Sequence, residues 1–427
     1  MFSSFLESRT RREIMQLAAA GAFVPSLSGW MKVLANRAAE PKSKGKHKSC
    51  ILIWLDGGPS QKDTFDLKPG SKGAGEFHPI STSASGIQIS EHLPKLAKVM
   101  NRGALVRGMS TPEGAHGRAK YYAHTGYREG QGGLTYPSLG SIAAMEIGNP
   151  EASVPNFVSI GNRSYGAGFL GPKHQPLMVQ NPDKGVEDLK ALVNEGQFSR
   201  RVGLLQEMES AFHREQKTDL VIDHKTNYER AVKLMQSKEA KAFDLAAEPS
   251  KVRSNYGGGT FGDGCLMARR LVEVGVPFVE VSLGGWDTHQ DNFERVKTLS
   301  GKLDAGAASL VSDLQERGLL DSTLVVIMGE FGRTPSMNTR GNKPGRDHYP
   351  RAWSLAMFGG GIAGGRIVGK TDADGVDVVD GKTSAQDFLA TVCELIGIDY
   401  TKKNEAANGR PITIVEKANP FTKLLKS

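Results

Sequence analysis

Three apolar runs in this 427-residue chain end in an acid set among glycines. CILIWL (50–55) leads to Asp56 and Gly57-Gly58, FVEVSLGGW (278–286) leads to Asp287, and TLVVIMG (323–329) leads to Glu330. In an open parallel sheet, ligands bind outside the carboxyl ends of the strands, so acids placed there are candidates for chemistry. Converging carboxylates repel one another and require a cation. Imidazoles sit in the same loops, in Asp287-Thr288-His289 and in Gly345-Arg346-Asp347-His348. A mixed set of His and carboxylate donors suits zinc, manganese or iron better than calcium, which takes oxygen alone. Arg333 lies just beyond Glu330 and is either its internal ion-pair partner or a clamp for an oxyanion. The plainer readings are a turn or helix cap for Asp56 and a polar loop for Asp287 and His289.

The elements that must position these residues alternate along the chain. Strands are expected at 49–55, 104–107, 156–160, 278–283, 323–328 and 353–358. Helices are expected at 92–101, 119–127, 138–147, 264–274, 292–316 and 384–396. This grammar predicts an α/β fold, a doubly wound, mostly parallel sheet with helices on both faces. Residues 198–215 and 220–243 are charged, helical in pattern and poor in strand formers, which predicts a helical insertion at about 190–250.

Composition bounds the function. With 39% hydrophobic and 23% charged residues the chain is globular, and outside residues 17–35 no apolar stretch nears the length of a membrane span. Three cysteines without paired short spacing suggest neither a disulfide framework nor a CxxC zinc site. The net charge of +8 is largely terminal and lacks the run of interleaved aromatics that a nucleic-acid groove needs, so nucleic acid is not an expected partner.

At the N-terminus, Thr10-Arg11-Arg12-Glu13-Ile14 precedes a weakly hydrophobic, Ala/Gly-rich run. This pattern predicts a twin-arginine signal peptide over 1–35, a basic linker over 36–48 and a folded domain over 49–427. The expected partner is the twin-arginine export machinery. The expected location is the periplasm or the exterior, with no stable membrane span in the mature chain.

WLDGGPSQKDTFD (54–66), GGWDTHQDNFE (284–294), MGEFGRTP (328–335) and GRDHYPRAW (345–353) together resemble the domain-of-unknown-function 1501 family, which is similar to the alkaline phosphatase and sulfatase superfamily. That resemblance implies the superfamily's α/β sandwich, with Asp56 at the position of a metal-binding Asp and Glu330 at another. Phe331 stands where a metal-binding His belongs. Counting back from Thr125-Gly126, His116 stands where a Cys, Ser or Thr nucleophile belongs, and the CxPSR motif is absent, so a formylglycine mechanism is not supported.

The expected function is an exported, metal-dependent hydrolase of phosphate or sulfate esters, acting on an anionic small-molecule or glycan ester. One or two divalent ions (zinc, manganese or iron) are expected on Asp56, Asp287, His289, Glu330 and His348. His116 is expected at the reaction centre as a further ligand or a nucleophile, with Ser60, Ser110 and Thr111 as alternative hydroxyls and Arg333 or Arg346 holding the anion. The alternative is a catalytically silent exported protein that binds an anionic glycan or an envelope partner.

Overall fold

The carboxyl ends of seven strands and the amino end of an eighth meet along one edge of a central sheet, and that edge carries the site. In a computed structural model that describes residues 48–215, 219–406, 408–421 and 424, the eight strands, numbered in chain order, are β1 (Ser49–Asp56), β2 (Gly103–Met109), β3 (Phe157–Ile160), β4 (Leu177–Val179), β5 (Phe278–Gly284), β6 (Thr323–Met328), β7 (Trp353–Gly359) and β8 (Arg366–Val368). Their order across the sheet is β8-β2-β7-β6-β1-β5-β3-β4. The signal segment and the linker as far as residue 47 lie outside the described residues.

β1 is central and pairs in parallel with β5 and β6, while β7 is antiparallel to both β2 and β6. The expectation that 353–358 continues the parallel pattern is therefore corrected. An apolar strand covered on both faces reads the same in either direction, and only its connections reveal its sense. The reversal matters for the site, because residues that precede β7 reach the same edge as residues that follow β5 and β6.

β1 shows why the run CILIWL is apolar throughout. Ile51, Ile53 and Leu55 enter one core, while Cys50, Leu52 and Trp54 enter the other, as a two-residue pleat requires. The first core is covered by α5 (Gly259–Glu273) and α6 (Asn292–Glu316); the second by α1 (His116–Thr125), α2 (Leu139–Glu146) and α7 (Ala385–Ile396), numbered in chain order with α3 (Glu195–Glu215) and α4 (Asp219–Met235) between them. Helix α7 begins at a capping box between Ser384 and Asp387 and ends at Gly397 with φ of 85°, so both of its ends are satisfied locally. The edge strands β4 and β8 have three residues each, too few for a readable alternation. Among the described residues, no helix is long and apolar enough to cross a membrane.

Candidate metal centre

Three imidazoles and one carboxylate converge at the strand ends. Nε2 of His116, His289 and His348 lie 3.4, 3.1 and 3.4 Å from the same oxygen, Oδ1 of Asp287. Nε2 of His289 and Nε2 of His348 are 3.0 Å apart. The residues come from three places: His116 opens α1, Asp287 and His289 follow β5, and His348 lies in a two-residue ribbon, paired with Arg333, just before β7.

Each ring is oriented from behind through Nδ1. His116 Nδ1 is 2.7 Å from Glu330 Oε1, His289 Nδ1 is 2.9 Å from Asp347 Oδ1, and His348 Nδ1 is 2.8 Å from the Gly114 carbonyl oxygen. Acceptors at these positions assign the hydrogen of each neutral ring to Nδ1 and turn the Nε2 lone pair inward. Lone pairs facing one another at about 3 Å repel unless a cation lies between them, and metal-ligating histidines are characteristically fixed through their second nitrogen in this way. Nε2 of His116 is buried and has no hydrogen-bond partner, an unsatisfied acceptor that coordination would satisfy. Ligand atoms of His116, Asp287 and His348 all lie within 4.8 Å of one another, with His289 adjoining them through Asp287 Oδ1 and His348 Nε2; imidazoles with a carboxylate are a donor set for zinc, manganese or iron.

Asp287 is held ionised. Burial alone would raise its pKa, but the hydrogen bond and charge of Arg333 bring it down to about 2. The guanidinium of Arg333 is fully buried; it donates to Asp287 Oδ1 at 2.5 Å, to the Gly58 carbonyl at 2.9 Å and also to the Gly57 carbonyl. It thus fastens the turn after β1 to the acid after β5. Of the two readings open for Arg333, the pair with Glu330 is replaced by a pair with Asp287, and no face of the side chain is open to a ligand. Burial also lowers the pKa of His348, with the charge of Arg333 adding to the effect.

Gly57 permits this closeness. Its φ is 112°, and a Cβ there would lie 2.4 Å from the backbone nitrogen of Asp287. Its amide donates to Glu330 Oε1 at 3.1 Å, so the carboxylate that orients His116 is itself fixed. Gly345 plays a similar part, since a Cβ at that position would meet the His289 carbonyl oxygen at 1.8 Å.

The other expected site residues lie elsewhere. Asp56 does not join the cluster: its carboxylate pairs with Lys120, and Trp54 Nε1 is 3.4 Å away. The pleat explains this, because residues 54 and 56 share a face of β1 and Asp56 is carried toward α1. Glu330 faces His116 Nδ1 and is fully buried, behind the imidazole rather than beside the converging Nε2 atoms. Arg346 is also fully buried, and all five of its N–H groups are used, on Asp63 Oδ1 and Oδ2 and on the carbonyls of Thr334, Pro335 and Gly73. No donor remains for an anion, so its expected role as a clamp gives way to a tie between loops. Ser60, offered as a hydroxyl nucleophile, is fully buried as well.

Phe331 is a wall of the centre, its ring centroid 5.0 Å from that of His116 and 4.8 Å from that of His348. Asp347 and the Gly114 carbonyl were not among the expected site residues. Asp347 stands beside His348 in the sequence, and that adjacency was the available signal; a backbone carbonyl leaves none.

The chain belongs to the family described as "Protein of unknown function (DUF1501)", which it matches over residues 47–425. Solved structures similar to it include the PsFucS1 sulfatase from Pseudoalteromonas sp., at 12% identity over 88% of this chain and 72% of that one with a TM-score of 0.42. Another is the alkaline phosphatase from the Antarctic bacterium TAB5, at 12% identity over 83% of this chain and 99% of that one with a TM-score of 0.35. A search of curated proteins gave no match.

Proposed function

We propose that this protein is a metal-dependent hydrolase of phosphate or sulfate esters that works outside the cytoplasm. The observation that carries the reading is the convergence of three Nε2 atoms on Asp287 Oδ1, each ring fixed through Nδ1. His116, Asp287 and His348, with His289 adjoining them, would hold a divalent ion, which would supply Lewis-acid polarisation of an ester oxygen and activation of water. Arg333 keeps Asp287 anionic, Glu330 keeps the proton of His116 on Nδ1, and Phe331 closes one side of the centre to solvent. In this reading Glu330 and Arg333 are positioning residues, and Asp56 and Arg346 lie outside the ligand set.

The N-terminal Arg11-Arg12 pair and the apolar run behind it support export by the twin-arginine route, which delivers proteins already folded, with their ions in place. The test is elemental analysis of protein recovered after export, with His289→Ala and His348→Ala as comparisons. Near-stoichiometric zinc, manganese or iron in the wild type, lost in the variants and accompanied by hydrolysis of 4-nitrophenyl phosphate or sulfate, supports the reading. A wild type that carries no metal and takes up none on addition overturns it.

A further inference from the structure

Helix α1 serves two places at once. His116, Lys120 and His124 are four residues apart and form one stripe along the helix. His116 faces the metal centre, whereas Lys120 and His124 line a separate cleft of about 320 Å³, together with Asp56, Arg163, Tyr165 and Glu280. The cleft and the centre share walls. Asp56 is followed by Gly57, whose amide holds Glu330 behind His116, and the Tyr165 hydroxyl donates to the carbonyl of Gly117, the neighbour of His116, at 3.2 Å.

The acids of this cleft are matched. Asp56 pairs with Lys120. Glu280, buried on β5, lies 3.4 Å from His124 Nε2 and accepts the Ser164 hydroxyl at 2.5 Å. Arg163 is the exception: it is exposed and makes no hydrogen bond or ion pair among the described residues. The cleft therefore offers fixed donors and acceptors in near-neutral pairs, the partly open ring of Tyr165, and one uncommitted guanidinium. A bare metal ion would be repelled by Lys120 and Arg163, and an apolar ligand would strand the paired charges. Hydroxyl groups can bond to paired carboxylates and ammonium without upsetting the charge balance, a sugar ring can lie against tyrosine, and a guanidinium is suited to a sulfate or phosphate oxygen pair.

We propose that this cleft is a recognition subsite for a sugar bearing an anionic group, with Arg163 and Lys120 as its specificity-determining residues. As a subsite it rests on the hydrolase reading, but as a binding site it is testable without metal. Chelator-treated protein would be titrated calorimetrically with galactose 6-sulfate, galactose 6-phosphate, galactose and inorganic sulfate, using wild type, Arg163→Gln and His348→Ala. At least one sugar ester should bind about tenfold more tightly than galactose or sulfate, and Arg163→Gln should lose most of that factor, since one charge-assisted pair accounts for a difference of this size. His348→Ala should leave the affinity unchanged. Comparison of the two esters tells sulfate from phosphate as the preferred group. Sugar esters that bind no better than inorganic sulfate, or equally well to Arg163→Gln, overturn the subsite. Binding of a sugar ester by a wild type that takes up no metal would overturn the hydrolase reading and leave the subsite standing.

Discussion

Glu330 Oε1 lies 2.7 Å from Nδ1 of His116 and 3.1 Å from the amide of Gly57, so one fully buried carboxylate ties the turn after β1 to the first residue of α1. The acid works from behind the ring, where it sets the tautomer and aims the inward nitrogen. Replacement by Gln keeps the shape and removes the charge. Glu330→Gln is expected to weaken zinc binding about 10- to 100-fold, the range typical when a carboxylate behind a ligating histidine is lost. Competition with a chromophoric chelator measures this. An unchanged zinc affinity would show that Glu330 has no part in metal binding.

The Arg346–Asp63 pair leads to a prediction of the opposite kind. Both side chains are buried, their shortest contact is 2.8 Å, and Asn292 also donates to Asp63, at 2.9 Å. Removing one partner leaves the other charge buried and alone, so Arg346→Met should cost about 3–5 kcal/mol in urea unfolding. The fraction that remains folded should still bind zinc, because Arg346 makes no contact with the converging ligands. Wild-type stability in the variant would contradict the assignment.

These two residues illustrate what could be read from the sequence. Asp287 and Glu330 stand out because apolar runs stop abruptly beside them, and His289 and His348 because each shares a loop with an acid; Asp287, His289 and His348 meet at the centre, whereas Glu330 stands behind His116. Arg346 looked similar, but its partner is 283 residues away, and nothing local marks an arginine as already saturated. Asp56 failed for a geometric reason. The strand it follows was legible, whereas the face on which the pleat would deliver its side chain depends on register, and register is set by β5 and β6. The sense of β7 was likewise hidden, yet it is that reversal which brings His348 to the edge reached by Asp287.

Acid should weaken the apo protein in a defined window. The folded pKa of Asp287, about 2, is below its ordinary value of 3.8, so its contribution to stability is present above about pH 4 and is lost as the pH falls toward 2. Unfolding of chelator-treated protein followed from pH 5 to pH 2 should show this slope in the wild type. It should be shallower in Asp287→Asn, and the difference is modest because the side chain is 44% exposed and solvent screens the pair. Parallel slopes in the two proteins would mean that Arg333 does not hold Asp287 ionised.

Gly57 offers the sharpest steric test of the centre. A methyl group at this position would meet the backbone nitrogen of Asp287 at 2.4 Å, and the φ of 112° is one that side-chain-bearing residues rarely adopt. Gly57→Ala must therefore either push the Asp287 loop outward or flip the turn, and either movement takes the Gly57 amide from Glu330 and displaces Asp287 from the three imidazoles. The expected cost is about 1–3 kcal/mol of stability from backbone strain. Zinc affinity should fall by more than that strain alone implies, because two of the supports of the centre move together. Gly58→Ala is the useful companion: a Cβ there would meet the Phe331 ring at 2.7 Å rather than the Asp287 backbone, so its stability should fall with a smaller loss of zinc. Equal losses of zinc in the two variants would mean that the turn supports the centre only through general stability, and not through the contact with Asp287.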